Sequence, residues 1–233
     1  MSDRFLYLTI DLLAVSIPVA FSFYPKAPFY KKWKYLLPST LIPGIVFILW
    51  DIIFTDLGIW GFNPRYITGT YIANLPIEEI LFFICIPYAC LFTYEALNFL
   101  TPRDFLRYHR NKITWTLIFS LSIIGALFFG KWYTTVTFFS TAAFLLFLIV
   151  TSNHFLGKFY FAFLFILIPF FIVNGILTGS GIEDQVVWYN NHENLGIRIG
   201  TIPVEDIFYG MLLLLMNVSL FEFFQKKFPN TSA

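Results

Sequence analysis

The chain is written in long apolar blocks separated by short polar breaks. Seven stretches approach the roughly 20 mostly apolar residues that a membrane-crossing helix needs: about 5–24, 36–54, 76–98, 113–130, 135–152, 159–177 and 202–224. The region 113–152 could also be one long irregular crossing, but the polar break at Gly130, Lys131, Trp132 and Tyr133 favours two. The expected fold is all-α and integral to a membrane, with about seven transmembrane helices. The first apolar block starts directly after Met1 to Arg4 and lacks a small-residue cleavage pattern, so it is expected to be a retained span.

An internal repeat organises these blocks. Placing Pro76 on Pro203 sets an offset of 127, which aligns NLPIEEILFF (74–83) with TIPVEDIFYG (201–210). The same offset brings Phe62-Asn63 onto Tyr189-Asn190, Gly69 onto Gly196 and Glu95 onto Glu222. The division that follows is a first three-helix repeat over 1–100, a connecting helix over 101–131 and a second three-helix repeat over 132–233. A single connecting crossing makes both triplets enter the membrane in the same direction, a parallel repeat about an axis along the membrane normal. Both P-x-E-[ED] segments then open helices from one face, each preceded on that face by a long aromatic loop, about 55–75 and 178–201, of the kind that forms a structured lid.

Charge fixes an expected orientation. Lys26, Lys31, Lys32 and Lys34, then Arg103, Arg107, Arg110 and Lys112, then Lys158, and finally Lys226 and Lys227 fall on one set of faces. Arg4, Arg65, Lys131 and Arg198 fall on the other. The positive-inside rule puts the N-terminus outside and the C-terminus in the cytoplasm of a multi-pass cell-membrane protein, and an even number of spans would spoil the alternation. With 15 basic and 14 acidic side chains there is no basic face for nucleic acid, and none is expected as a partner.

The candidate chemistry is carboxylic. Glu78 and Glu79 stand at the start of the third span, Glu205 and Asp206 at the start of the last. A proline followed by acids is also an ordinary helix start. Two copies in register at one membrane depth, with few cations nearby, are costly unless used or protonated. A dyad across the repeat axis would hold one proton, giving a donor beside an acceptor. Neighbouring helical residues project about 100° apart, so one acid of each pair is expected to face a shared cavity, and the matching positions point to Glu78 and Glu205. Asp51, just before the first lid, could assist the site or merely be hydrogen-bonded. Asp11 and Asp51 have no acidic counterpart in the other repeat. Glu95 and Glu222 read as interfacial ion-pair partners. Asn63 and Asn190 could orient the acids or cap their loops. Of the 31 Phe, 13 Tyr and 6 Trp, most suit lipid contact; the rest, Trp60 and Tyr189 included, could line a polyene cavity and shield a cation through their ring faces.

Other classes fit less well. Cys85 and Cys90 share one apolar stretch on different helix faces and read as buried thiols. His109, His154 and His192 are too scattered for metal-ligand spacing, so no metal is expected. No phosphate loop or dinucleotide fingerprint occurs, so no nucleotide or flavin cofactor is expected. A retinal protein would need a lysine within the last helix, whereas Lys226 follows the last apolar block. A proton-coupled transporter would also carry membrane acids, but these sit at helix starts near one face.

At PIEE (76–79) with the preceding WGFN (60–63), at IVNGILTG (172–179) and at YNNHENLGIRIGTIPVEDIFY (189–209) the sequence resembles the non-flavin lycopene cyclases. These are heterodimers of two short membrane subunits in some bacteria and fused elsewhere, similar to the cyclase half of the fungal bifunctional lycopene cyclase/phytoene synthases; no synthase half is expected in this chain. The resemblance spans nearly the whole chain. It implies a cofactor-independent, redox-neutral closure of the linear end groups of lycopene or another linear carotenoid to rings, giving beta-carotene or gamma-carotene. It places Glu78 and Glu79 in the first acidic motif and Glu205 and Asp206 in the second, where Asp is a shorter variant. A carotenoid hydratase using the same acid step is the nearest alternative. The lipid bilayer is the other expected partner, and a homo-oligomer is possible.

Overall fold

The computed structural model describes residues 3–151 and 154–229. Among them seven α-helices make up the body: α1 (Leu6–Phe21), α2 (Trp33–Asp56), α3 (Ile77–Leu100), α4 (Arg110–Leu127), α5 (Trp132–Thr151), α6 (Leu156–Leu177) and α7 (Val204–Lys227). Six of these, all except α4, are long and apolar enough to cross a membrane. At 1.5 Å per residue the 24 residues of α3 reach about 36 Å, enough for the hydrocarbon core of a bilayer. Large apolar side chains such as Leu13, Ile17, Leu164 and Ile168 lie exposed on the outer helix faces. In water that would be prohibitive; in lipid it is the solvated surface.

α4 opens on three polar residues, Arg110, Asn111 and Lys112. Its path nevertheless closes the topology. α3 leads away from the acidic helix starts, and α5 begins beside them, because the Tyr133 hydroxyl donates to Asp206. α4 therefore carries the chain back across the thickness of the bundle, lying along α5. Trp132 and Tyr133, expected in the polar break before α5, belong to its first turn; the turn itself falls at Gly130, whose φ of +106° is open only to glycine at low cost.

The internal repeat is reproduced in the backbone of the segments that precede α3 and α7. Strands β2 (Tyr71–Ile72) and β3 (Leu75–Pro76) form a small hairpin before α3, and β5 (Arg198–Ile199) and β6 (Ile202–Pro203) form its twin before α7. The Ile77 amide donates to the Thr70 carbonyl at 2.9 Å, and the Val204 amide to the Ile197 carbonyl at 3.0 Å. Gly69 and Gly196 both take left-handed φ values, +83° and +72°. Between the lids, β1 (Trp60–Phe62) pairs antiparallel with β4 (Val187–Tyr189), with Gly61 opposite Trp188. Those two residues are repeat equivalents, so the pseudo-two-fold axis passes through their pairing.

The lids are thus knitted to each other. Asn63 donates its amide to the Val186 carbonyl at 2.8 Å, and Asn190 to Ile59 at 2.9 Å. Arg65 of the first lid reaches Glu183 of the second at 2.7 Å and Asp3 at 2.8 Å. Within the bundle the middle helices exchange partners: α2 runs along α7, and α6 along α3. At the far end Glu95 is paired with Lys32, as an interfacial acid should be. Glu222 instead accepts from the Tyr94 hydroxyl at 2.6 Å.

Candidate active site

Each acidic pair splits in two, and the split corrects the expectation that Glu78 and Glu205 face the cavity. α3 starts at Ile77 and α7 at Val204, with Pro76 and Pro203 as the residues before them. Glu78 turns back toward its own lid, where Oε1 accepts from the Thr68 amide at 2.7 Å. Glu205 does the same with the Leu195 amide at 2.7 Å and adds the Thr134 hydroxyl at 2.6 Å. Thr68 and Leu195 are again repeat equivalents. The identical position in both repeats therefore serves the identical structural task, fastening lid to helix by a charge-assisted bond. One residue on and about 100° round the helix, Glu79 and Asp206 face inward and line one cavity.

That cavity, of about 180 Å³, is long and apolar. Along α3 it runs from Glu79 through Phe82, Ile86 and Cys90 to Thr93, about 21 Å at the helical rise. α6 faces it from Leu177 to Phe163, and the wall on α7 is made low by Gly210. Both acids stand at the lid end, and the rest of the groove is hydrocarbon and sulfur with few polar groups.

Around the acids the polar contacts are specific. The Tyr7 hydroxyl donates to Glu79 Oε2 at 2.5 Å. The Tyr133 hydroxyl donates to Asp206 Oδ1 at 2.5 Å and the Tyr189 hydroxyl to Oδ2 at 3.0 Å. Asp51 lines the same cavity as Glu79 and accepts from Trp60 Nε1. Asp11, one turn after Tyr7 on α1, is fully buried, with no hydrogen-bond partner for either oxygen among the described residues. Arg198 sits over the Tyr189 ring, 5.8 Å from its centroid. Burial, then the charge of Asp206, holds the Tyr189 phenol well above its ordinary value, so it stays a donor.

An aromatic box closes this end. Trp60 packs edge-on against Tyr133 at 5.1 Å and Tyr209 at 5.9 Å between ring centroids, and Tyr133 stacks on Tyr189 at 5.8 Å. Such rings exclude water and present negative faces to a positive charge.

Of the residues expected from sequence, Glu79, Asp206, Asp51, Trp60 and Tyr189 meet at the cavity. Asn63 and Asn190 do not: their side-chain carbonyls accept from the Arg65 and His192 amides at 3.0 and 3.1 Å, building matched turns in the two lids. Three residues were missed, Tyr7, Tyr133 and Tyr209. At the offset of 127 Tyr7 meets Thr134 rather than Tyr133, so the register that exposes the acids hides the tyrosines by one position. The detectable signal is a tyrosine near the lid-side start of the first span in each repeat.

Two regions of the chain, residues 4–97 and 130–224, match the family model described as lycopene cyclase. They correspond to the two halves of the bundle and leave out α4. No curated protein and no solved structure matches the chain.

Proposed function

The chain belongs to the lycopene cyclase family, and from that premise we propose that it closes the linear ends of lycopene, or of a related linear carotenoid, into rings at the Glu79–Asp206 cavity. As a member it is a membrane enzyme, a cyclase. The observation that carries the finer reading is the convergence of one inward acid from each repeat on the lining of one apolar groove. The groove has the length and polarity for a polyene end, and the acids stand where that end would stop.

The chemistry is an isomerisation. A carboxylic acid protonates the terminal double bond, leaving a tertiary cation. The neighbouring double bond attacks that cation, forming the ring bond and moving the charge to a ring carbon. A carboxylate then removes a proton from an adjacent carbon, restoring a double bond. One proton enters, one leaves, and no electrons are exchanged. Which adjacent carbon loses its proton decides the ring isomer. Alkene protonation needs a dry site in which water cannot trap the cation, and the knitted lids with the box of Trp60, Tyr133, Tyr189 and Tyr209 suit that demand.

In this reading the lids face outside and both Lys226 and Lys227 lie in the cytoplasm, following the distribution of basic residues. Residues 1–100 and 132–233 act as the two halves of one site, joined by 101–131. The test uses the purified chain in lipid vesicles loaded with lycopene, without nucleotide, flavin or ion gradient. Chromatography is expected to show a ring-bearing carotenoid. Unchanged lycopene would overturn the proposal, and a hydrated acyclic product would replace it with a hydratase.

A further inference from the structure

The groove is sealed at both ends but not along its side toward the lipid. On the water side β1 and β4 join the two lids, and Arg65 ties the first lid to Glu183 and to Asp3. Just beneath, Tyr7 and Ile10 of α1 pack with Leu177 of α6 and Val186 of the second lid. At the other end Leu91, Phe159 and Leu215 belong to one buried core of α3, α6 and α7.

Between these seals α1 and α6 border the groove from opposite sides. α1 is fastened to α3 at both of its ends, where the Tyr7 hydroxyl donates to Glu79 and Ser22 meets the Tyr88 hydroxyl at 2.6 Å. In the stretch between those ties, Ala14 of α1 and Pro169 of α6 both line the groove, yet Ala14 is partly exposed and Pro169 exposed. A residue that borders a cavity and faces outward at once stands on its rim. Phe82 and Ile86 of α3 line the back, and Val173 flanks Pro169. Ala14 comes two turns after Tyr7, and Pro169 just over two turns before Leu177, which sets both rims about 10–12 Å from the lid end at the helical rise, within the hydrocarbon of a bilayer. Pro169 has no amide to give the Phe165 carbonyl, so α6 lacks one rung of its ladder at the rim.

We propose that the linear carotenoid enters the groove sideways from the bilayer, end first, through a portal between α1 and α6 whose rims are Ala14 and Pro169. This rests on the cyclase reading above and deepens it. A carotenoid is dissolved in the hydrocarbon, and a path beneath the lids would draw its apolar length through water. The portal opens at the depth where the substrate already lies, and its rims are apolar. Once inside, the end turns along α3 toward Glu79 and Asp206 while the chain behind it trails through the portal into lipid, so one end reacts per entry.

The test uses the full-length chain with Glu79→Gln and Asp206→Asn combined, so that lycopene binds without reacting. Stopped-flow mixing with lycopene in mixed lipid–detergent micelles follows binding through the shift of the carotenoid's visible absorption. Ala14→Phe on one rim and Val173→Phe on the other are each expected to slow binding about tenfold or more, within the range over which mutants of one site change association. Release should slow in step, leaving final occupancy near that of the parent. Leu13→Phe, beside Ala14 on the lipid face and 65% exposed, and Arg65→Ala, which unties the lids, should bind at the parent rate. In the active chain Ala14→Phe should lower kcat/KM while the ring-isomer ratio holds. Parent-rate binding in both rim variants would overturn the portal, and faster binding in Arg65→Ala would move entry beneath the lids. Lost occupancy with an unchanged binding rate would make Ala14 and Val173 mere wall and remove the portal too. A parent that binds no lycopene, together with a wild-type chain that forms no ring, defeats the cyclase reading itself; ring formation by the wild type with rim variants that bind at the parent rate defeats the portal alone.

Discussion

The two halves of the bundle share lid backbone down to single hydrogen bonds, yet the spaces beside their two acidic helices are lined differently. Between α3 and α6 the groove reaches about fourteen residues below Glu79. Between α7 and α2 the corresponding space is filled, with Phe47, Phe83, Leu212 and Leu213 forming a closed core against Trp50 and Tyr209. Phe83 and Gly210 are repeat equivalents: the phenyl plugs one side of the axis, and the missing side chain leaves room on the other. The lesson is that duplication supplied the scaffold and a pair of acids, and later divergence at a handful of side chains turned two equivalent clefts into one site with two different acids.

That contrast can be broken most severely at Gly210. A Cβ there would meet Phe170 at 3.5 Å, ordinary contact, so alanine fits. Gly210→Phe gives the second half the plug of the first, and conversion of lycopene should fall about 100-fold or more through misplacement of the end group, with the fold retained and Gly210→Ala near wild type. Chromatography of pigment from a lycopene-accumulating host reads this directly.

The lid fastenings sharpen the comparison by stability. Glu205 accepts two bonds and Glu78 one of those the structure shows. Glu205→Ala should cost about 2–3 kcal/mol and Glu78→Ala about 1–2 kcal/mol, charge-assisted bonds being worth roughly 1.5–3 kcal/mol and neutral ones about 1 kcal/mol. Unfolding by denaturant in detergent micelles gives both values, and equal costs would deny the difference.

At the axis itself, Gly61 has no room for a side chain: an added Cβ would lie 2.4 Å from the Trp188 ring. Gly61→Ala should destabilise the chain by about 1–3 kcal/mol as overpacking does. Adding Trp188→Ala should recover part of that loss, a coupling that a double-mutant cycle measures.

The smallest effects belong to the far end. Tyr94→Phe leaves Glu222 without its phenol donor and should cost about 1 kcal/mol. Lys32→Ala removes a partly exposed ion pair to Glu95 and should cost less than about 1 kcal/mol. The same denaturation experiment ranks the two.

Much of this architecture was legible in the apolar blocks, because a lipid-exposed helix must be apolar along its whole length and so announces itself locally. The repeat was legible for a similar reason: the turns before α3 and α7 depend on short-range chemistry at Pro76, Gly69 and their twins. The inward face was not. Glu78 and Glu79 differ by about 100° of helix phase, and only the lid amide at Thr68, brought back by the β2–β3 hairpin, decides which acid turns away. Nor could sequence decide between the two readings of Asp51, since its place at the cavity depends on how α2 packs in the bundle. The tyrosines escaped because Tyr7 and Tyr133 lie 126 residues apart, one short of the offset that aligns the lids and the acids. The open groove rests on the exchange of α2 and α6 between halves, which no local pattern encodes.

The central claim is that Glu79 and Asp206 perform the chemistry while Glu78 and Glu205 hold the lids. Four single variants, Glu78→Gln, Glu79→Gln, Glu205→Gln and Asp206→Asn, expressed in one lycopene-accumulating host and normalised to protein in the membrane, compare them directly. Ring-bearing pigment should vanish for Glu79→Gln and Asp206→Asn and persist for the other two. Ring formation surviving in the inward pair and lost in the outward pair would contradict the account.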